Sequence, residues 1–477
     1  TATKANTLTE ESQEILKKLK GDLKITTYVN YLDETYDRGA PRNRIYDLAE
    51  FEQELRFKPE IELEYVYYYG KGYLPYAKAA YDTMTLEQVV EDKCKYSGRD
   101  PKSFLSLDEV LKMDDISGEN GRFVRVITAA NGKKAFLRIY KDNHVYPYES
   151  QISTALKTLL QEAPMVGFVT GHKERSGMDM GEKGYGTFAS NKTFRYSLEN
   201  SGYGVREISL EHPVAEDINI IVISDMREWF TPEQEANLQQ YIDRGGNLFI
   251  LGEPKRRDVM NNLFAKFGYE MTTGVLVKRD TNLQADVILS YPTKEADSIA
   301  YDFGFMRRRR MVITTPSTAG LEQIADKGYT VTNMFTTDTI GVWNELETTD
   351  FIDDTVCLNP AIGEVEKIYN TVVALSRKVG NKEQKIILTG DADCISNGEF
   401  GRRVPTARAS NFSLITGGFF WMSDNEVPID VRRPALPDNK VYVEKTGSKV
   451  IKWSFMIILP LLLAGIGIFL WIRRKGR

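Results

Sequence analysis

The chain has 477 residues, of which 42% are hydrophobic and 27% charged, and its formal net charge is −5. This composition is typical of a globular protein and excludes a disordered chain, which needs lower hydrophobicity and higher net charge. It also excludes a polytopic membrane protein as the whole chain. The isoelectric point near 5.6 gives no support to nucleic-acid binding, which normally uses a basic surface.

The first region, residues 1–163, is predicted to be an α/β domain. Apolar periodicity and turn signals predict, in order, a strand at Leu23–Tyr31, a helix at Asn43–Phe57, a strand at Ile61–Tyr69, a hairpin at 122–140 and a helix at Glu149–Ala163. This β-α-β opening is similar to thioredoxin-like domains. Because the region lacks a Cys-x-x-Cys pair, we predict no redox function for it.

The second region, residues 164–427, is predicted to be a doubly wound α/β domain. Its predicted strands are Met165–Thr170, Val205–Leu210, Ile218–Ile223, Asn247–Leu251, Ala285–Ser290, Met311–Thr314, Tyr329–Phe335 and Gln384–Thr389. Helices are predicted at Tyr185–Asn200 and from the capping box at Thr231 to Arg244. Alternating strands and helices favour a mainly parallel sheet with helices on both faces.

The end of the chain differs from the rest. A tether is predicted at 428–452, followed by a transmembrane helix at 453–472 that has no charged residue. Twenty helical residues match the thickness of a bilayer, and Trp453 and Trp471 lie at the two ends, where such rings favour the interface. The alternative is a buried core helix. The basic tail at 473–477 predicts, by the positive-inside rule, that this end is cytoplasmic and the large domains are extracytoplasmic.

An external body with a C-terminal anchor must be exported, so we expect a signal peptide or one or more membrane spans before Thr1. The three cysteines do not form a framework. Cys357 and Cys394 would pair in an oxidising compartment, or both would be buried free thiols; Cys94 is left over.

Sequence motifs for catalysis or cofactor binding are absent. The chain contains no phosphate loop, dinucleotide fingerprint, nucleophile elbow or zinc-protease motif. Its three histidines are too scattered for a metal cluster. The glycine-rich loop Gly177–Gly186 carries two acids that would repel phosphate, which favours a flexible solvent loop. We therefore predict no catalytic residues, no metal and no cofactor.

One group of polar residues follows the predicted strands. Ligands of open α/β sheets bind beyond the carboxyl ends of strands, and the residues at those ends are His172, Glu174, Asp225, Glu253, Asp391 and Asp393. Converging carboxylates would hold a cation, a sugar or basic groups of a partner. The alternative is that each acid caps a following helix or turn.

Two further patterns are ambiguous. The run of Arg307, Arg308, Arg309 and Arg310 is either a solvated face or a docking patch for anionic lipid headgroups or an acidic partner. The tyrosine-rich segment Tyr65–Tyr81 favours strand packing and interface surface over a glycan platform.

Several segments resemble the GldG-like family, the extracytoplasmic auxiliary component of gliding-motility-associated ABC transporters. They are VGFVTGHKE at Val166–Glu174, the stretch Ile218–Pro254, KIILTGDADCISN at Lys385–Asn397, NFSLITGGFFWM at Asn411–Met422 and the terminal span. The resemblance implies an ABC permease and a cytoplasmic ATPase as partners, and no catalysis. Where the family reads GHGE, this chain has Lys173. A related fold occurs in class I amidotransferases, but no cysteine here stands on a glycine-flanked elbow.

These observations predict a non-enzymatic subunit of an ABC transporter complex, anchored in the cytoplasmic (inner) membrane, that scaffolds or binds substrate or envelope partners. Two alternatives stay open. One is a membrane-anchored, amidotransferase-like hydrolase that uses the strand-end acids, and the other is a module that binds envelope glycans or peptides.

Overall fold

The computed structural model describes residues 6–72, 82–433 and 443–475. Residues 8–431 form one compact unit, and residues 1–7 with 432–477 form a second. The predicted boundary at 163/164 falls inside the larger unit, between its first and second sheets. The division into two domains at that point stays a prediction.

The first sheet has the strand order β3-β2-β1-β4-β5. Its strands are β1 (Leu23–Asn30), β2 (Ile61–Tyr69), β3 (Leu105–Ser106), β4 (Val124–Ala129) and β5 (Lys134–Arg138). The pair β1–β2 is parallel, whereas β4 is antiparallel to both β1 and β5. A parallel pair extended by an antiparallel hairpin is the arrangement predicted for a thioredoxin-like domain.

The helices of this region are α1 (Glu10–Lys18), α2 (Tyr36–Gly39), α3 (Arg44–Ala49), α4 (Glu52–Phe57), α5 (Leu86–Ser97), α6 (Leu107–Leu111) and α7 (Glu149–Thr158). Thr85 and Ser106 begin α5 and α6 with capping boxes, as the sequence predicts. The single helix predicted at Asn43–Phe57 is interrupted between α3 and α4. Leu16 of α1 and Leu156 of α7 belong to the same hydrophobic core as Ile25 of β1 and Ile127 of β4.

The second sheet contains twelve strands, of which ten follow the order β19-β13-β12-β15-β17-β18-β9-β8-β6-β7. Its strands are β6 (Met165–Val169), β7 (Gly204–Ile208), β8 (Ile218–Ser224), β9 (Asn247–Leu251), β10 (Tyr269–Met271), β12 (Val287–Pro292), β13 (Met311–Pro316), β14 (Leu321–Gln323), β15 (Thr330–Thr336), β17 (Asn370–Val379), β18 (Lys382–Thr389) and β19 (Arg408–Ala409). A separate pair joins β11 (Val275–Lys278) to β16 (Val342–Glu345).

Pairing in the second sheet changes along its width. The strands from β7 to β18 are parallel, and from β18 to β13 they are antiparallel. Helices cover both faces: α8 (Gly186–Ala189), α9 (Pro232–Asp243), α10 (Arg257–Ala265), α11 (Tyr301–Arg308) and α12 (Phe412–Met422). One core contains residues of α8, α11 and α12, and the other contains residues of α9 and α10. The predicted α/β class with helices on both faces is confirmed, but the sheet is mixed rather than mainly parallel.

The helix predicted at Tyr185–Asn200 is wrong, because only α8 forms and residues 190–200 make successive turns. Short polar side chains hold these turns. The side chain of Asn191 accepts from the backbone N–H of Thr193 at 2.9 Å, and the amide of Asn200 donates to the carbonyls of Lys192 and Phe194. Such local bonds compete with helical hydrogen bonding.

The smaller unit contains the terminal helix, Thr446–Lys475. Its 30 residues include a window of mean hydropathy 2.6, and none of that window is buried. By length and composition this helix is able to cross a membrane, as predicted for 453–472. A π-helical turn at Ser454–Ile458 separates α13 (Lys445–Trp453) from α14 (Leu459–Lys475). Residues 434–442 of the predicted tether and 476–477 of the tail lie outside the described residues.

Candidate functional site

The strand-end residues meet because parallel strands end at the same edge of a sheet. Asp225 follows β8, Glu253 lies two residues beyond β9, and Asp391 and Asp393 follow β18. These three strands are neighbours in the second sheet. Four of the six predicted residues therefore converge, and we call them the acid cluster.

Arg175 lies among the acid cluster and is only 8% exposed. Its Nε donates to Oδ2 of Asp225 at 3.3 Å, and its Nη1 donates to Oδ1 of Asp393. Nη2 lies 3.6 Å from Oε2 of Glu253. A single buried guanidinium thus interacts with three carboxylates from three loops. Sequence reasoning missed this residue, although four converging acids require a nearby cation and Arg175 comes six residues after β6.

The glycine-rich loop 177–186 supplies a second cation. Lys183 donates to Oδ2 of Asp393 at 2.5 Å. The loop is held by Asn397, whose amide donates to the carbonyls of Asp179 at 2.9 Å and Gly181 at 2.7 Å. A Cβ at Gly184 would lie 2.2 Å from the carbonyl oxygen of Asp179, so this position requires glycine. Residues 178–183 are exposed, as predicted for a solvent loop, and the contacts of Asn397 connect the loop to the segment after β18.

The acids of the cluster differ in protonation. Burial, and then the charge of Asp393, raise the pKa of Asp391 well above its usual range. Burial likewise raises the pKa of Glu253. Although burial opposes the ionisation of Asp393, the charges of Arg175 and Lys183 lower its pKa. Asp393 therefore ionises more readily than an ordinary carboxyl group, whereas Asp391 keeps its proton to higher pH than one.

Hydrogen bonding in the cluster is incomplete. Oδ1 of Asp391 accepts from the backbone N–H of Asp393 at 2.6 Å, a turn role of the kind the sequence also allows. Oδ2 of Asp391 and Oδ1 of Asp225 are buried and have no hydrogen-bond partner among the described residues. Such oxygens are costly to bury unless they are protonated or reached by a donor.

His172 and Glu174 have different partners. Nδ1 of His172 lies 3.0 Å from Oε1 of Glu174, and Nε2 of His172 lies 3.0 Å from Oε1 of Gln234. Gln234 also closes the capping box of α9, so this pair connects the loop after β6 to a helix start. Lys173 between them has a φ of 62°, a conformation that favours the glycine found there in the GldG-like family.

The cluster does not present a reactive thiol. Cys394 is fully buried, its Sγ lies 3.3 Å from the carbonyl oxygen of Asp391, and burial raises its pKa well above the usual range. A thiolate is the nucleophilic form of cysteine. All three cysteines are free: Cys94 and Cys394 are buried, and Cys357 is exposed.

A second group of acids lies outside the acid cluster. Glu345, Glu347 and Glu364 have carboxylate oxygens within 4.8 Å of one another. Each oxygen of Glu364 accepts from a backbone N–H, and those of Glu345 accept from backbone N–H groups and an indole. These hydrogen bonds connect the loops that carry the glutamates, which is a structural role.

In the tyrosine-rich segment, the rings of Tyr65 and Tyr67 stack along β2, consistent with the predicted strand packing. Residues 73–81 of this segment lie outside the described residues.

Residues 163–325 match the family described as an ABC-type uncharacterized transport system. This segment covers about a third of the chain, from the end of the first region through β14. This part of the chain is therefore similar to an auxiliary family of ABC-type transport systems. The narrower resemblance to the GldG-like family stays a prediction. No curated protein matches the chain.

Solved structures are only distantly similar to this chain. The mmIFT52 N-terminal domain is 13% identical, with a TM-score of 0.37 over 55% of this chain and 98% of its own. Exo-beta-1,4-mannosidase Op5Man5 from Opitutaceae bacterium strain TAV5 is 11% identical, with a TM-score of 0.29 over 81% of this chain and 49% of its own. A ThuA-like protein from Parabacteroides merdae is 8% identical, with a TM-score of 0.28 over 53% of this chain and 96% of its own. None carries a functional argument.

Proposed function

We propose that this protein is a non-enzymatic auxiliary component of an ABC transporter complex, of the gliding-motility type, with its α/β body on the extracytoplasmic side. The observation that carries the proposal is the match of residues 163–325 to a transport-system family. The terminal helix supports anchoring in the cytoplasmic membrane. The arrangement of Arg175 and Lys183 around the acids supports a binding or scaffolding role, since these cations neutralise the carboxylates rather than activate a nucleophile.

The association is tested by purifying the tagged full-length chain from its own membranes in mild detergent. We expect an ABC permease and an ATPase to be recovered in fixed ratio with the chain. A matched control carries the same tag on an unrelated protein with one membrane span. A monodisperse chain without these partners would contradict the proposal.

The side of the membrane is tested with the one exposed thiol. Because Cys94 and Cys394 are buried and Cys357 is exposed, a membrane-impermeant maleimide should label only Cys357. We expect labelling in spheroplasts at the level seen after lysis. The control variant Cys357→Ser should stay unlabelled. Labelling that appears only after lysis would place the body in the cytoplasm.

Ligand binding at the strand-end residues is a second candidate function. It is favoured by the two buried oxygens of Asp225 and Asp391 that have no partner among the described residues. A cationic or hydroxyl-rich ligand of the envelope would supply the missing donors. A thermal-shift screen with basic peptides and glycans tests this, because a ligand of the folded state raises stability. A stabilisation that persists in Asp391→Asn would exclude this residue as the binding group.

A further inference from the structure

An exposed basic surface lies at one end of the second sheet. Arg307 and Arg308 are the last residues of α11, and Arg309 and Arg310 lead into β13. All four arginines are exposed. Arg307 is held by Asp297, with Nε 3.0 Å from Oδ1. Arg408 lies near the other three arginines, because β19 pairs with β13 and places Arg408 opposite Met311, the residue that follows Arg310. We call Arg308, Arg309, Arg310 and Arg408 the arginine patch.

Two exposed aromatic rings accompany the arginine patch. Tyr301 and Phe305 are 48% and 38% exposed, and their rings stack with centroids 6.1 Å apart. The guanidinium of Arg308 lies 5.3 Å from the ring of Tyr301, and that of Arg309 lies 5.6 Å from the ring of Phe305. The acids in this segment are Glu295, Asp297 and Asp302, and Asp297 is already engaged by Arg307. The surface is therefore cationic and partly apolar.

These features fit a membrane surface. Anionic headgroups attract clustered arginines, and amphipathic or aromatic rings favour the membrane–water interface. The chain itself supplies the bilayer: thirteen residues, 432–444, lie between the larger unit and α13, and a chain of thirteen residues spans at most about 45 Å. A bilayer that held the terminal helix would thus be within reach of the larger unit.

We propose that the arginine patch, with Tyr301 and Phe305, docks on anionic phospholipid headgroups of the membrane in which the protein is anchored. This inference rests on the anchoring proposed above. Docking holds the body against the membrane surface in one orientation, through contacts that depend on lipid charge and ionic strength.

The full-length chain in lipid nanodiscs tests this docking. Ser298→Cys, in a Cys357→Ser background, carries an environment-sensitive fluorophore at an exposed position three residues before Tyr301. With about 30% phosphatidylglycerol we expect roughly a twofold rise in emission over pure phosphatidylcholine, and loss of the rise at about 1 M salt, where the Debye length is about 3 Å. The triple variant R308S/R309S/R310S should abolish the rise. The control K17S/K18S/K20S removes the same charge from exposed positions elsewhere and should retain it.

The outcomes separate the two proposals. A chain that does not enter nanodiscs contradicts the anchoring. A chain that enters them but gives equal emission in both lipids, or loses the rise equally in both triple variants, overturns the docking alone. A rise that occurs in phosphatidylcholine only when the purified transporter partners are added would assign the patch to an acidic protein surface and also overturn the lipid proposal.

Discussion

At the scale of single residues, buried charge is the main feature of this protein. Arg175 is held by carboxylates from separate loops, whereas Glu54 is a buried acid with one oxygen, Oε2, that has no hydrogen-bond partner among the described residues. Removal of one partner from a buried ion pair strands the other charge, whereas removal of an isolated buried acid relieves a cost. The two kinds of residue should therefore respond to substitution in opposite ways.

Arg175→Leu should lower the free energy of unfolding by about 3–5 kcal/mol, because Asp225 and Asp393 would be left buried without their cation. Urea denaturation of the full-length chain in detergent measures this. Lys183→Leu is the matched control: Lys183 contacts the same Asp393, but its side chain is 71% exposed, so a loss below about 1 kcal/mol is expected. Equal losses in both variants would contradict a central role for Arg175.

Glu54 predicts a pH effect on stability. Burial raises its pKa to about 7, so the folded state keeps a proton that the unfolded state releases near pH 4.5. The contribution of Glu54 to the free energy of unfolding is fully present below about pH 4.5. It is lost as the pH rises through about 7, and the loss is about 3 kcal/mol in total. Glu54→Gln lacks this titration, and its stability relative to wild type should increase by that amount from about pH 4 to 8. Glu60→Gln, at an exposed position, should follow the wild-type profile.

At the scale of elements, side-chain hydrogen bonds connect the loops at the strand ends to one another. Loop 177–186 is tied to the loop after β18 by Asn397, which also accepts from the backbone N–H of Thr187 at 2.8 Å. Glycines allow the tight path, and the tie brings Lys183 to the acid cluster. The integrity of the site thus depends on a residue that carries no charge.

Asn397→Ala should release this loop. Removal of three hydrogen bonds to backbone groups should cost about 1–3 kcal/mol of unfolding free energy and accelerate trypsin cleavage after Lys183. Limited proteolysis with mass analysis of the fragments detects the cleavage. Asn282→Ala, in an exposed turn, serves as the control and should leave the rate at Lys183 unchanged; the same protection in Asn397→Ala would show that the loop is held by other contacts.

At the scale of the whole molecule, residues 8–431 are one compact unit although they contain two large sheets and a separate two-stranded pair. Arg195 is a principal link. It is 2% exposed, binds Asp142 through Nε at 2.7 Å and Nη2 at 2.9 Å, and lies 4.3 Å from the rings of both Tyr140 and Tyr148. A residue of the second region is thereby enclosed by residues of the first.

We expect the larger unit to unfold in one cooperative transition, and Arg195→Met to separate it into two or to lower its stability by about 3 kcal/mol. Differential scanning calorimetry distinguishes these results. Arg206→Met removes a surface pair with Asp217 and should change stability by less than about 0.5 kcal/mol. Two transitions in the wild-type protein would show that the regions are independent domains.

The sequence predicted features that depend on local signals. The capping box at Thr231 and the strand ends that carry Asp225 and Asp391 were correctly placed, since each depends on a few neighbouring residues. The long strand β17 was not predicted, because a buried apolar run without alternation does not by itself specify a strand. Arg175 was missed because its role exists only after loops from four strands have met.

The second sheet ends at β19, which has two residues, one of them Arg408. A strand this short offers too few free backbone groups to template the addition of another chain, and an arginine beside it repels a second copy of the same edge. With the anchoring proposed above, the protein would be confined to the plane of a membrane and would meet its own copies more often than a freely diffusing protein does. The short, charged strand β19 would then protect this edge of the sheet against pairing with a second copy.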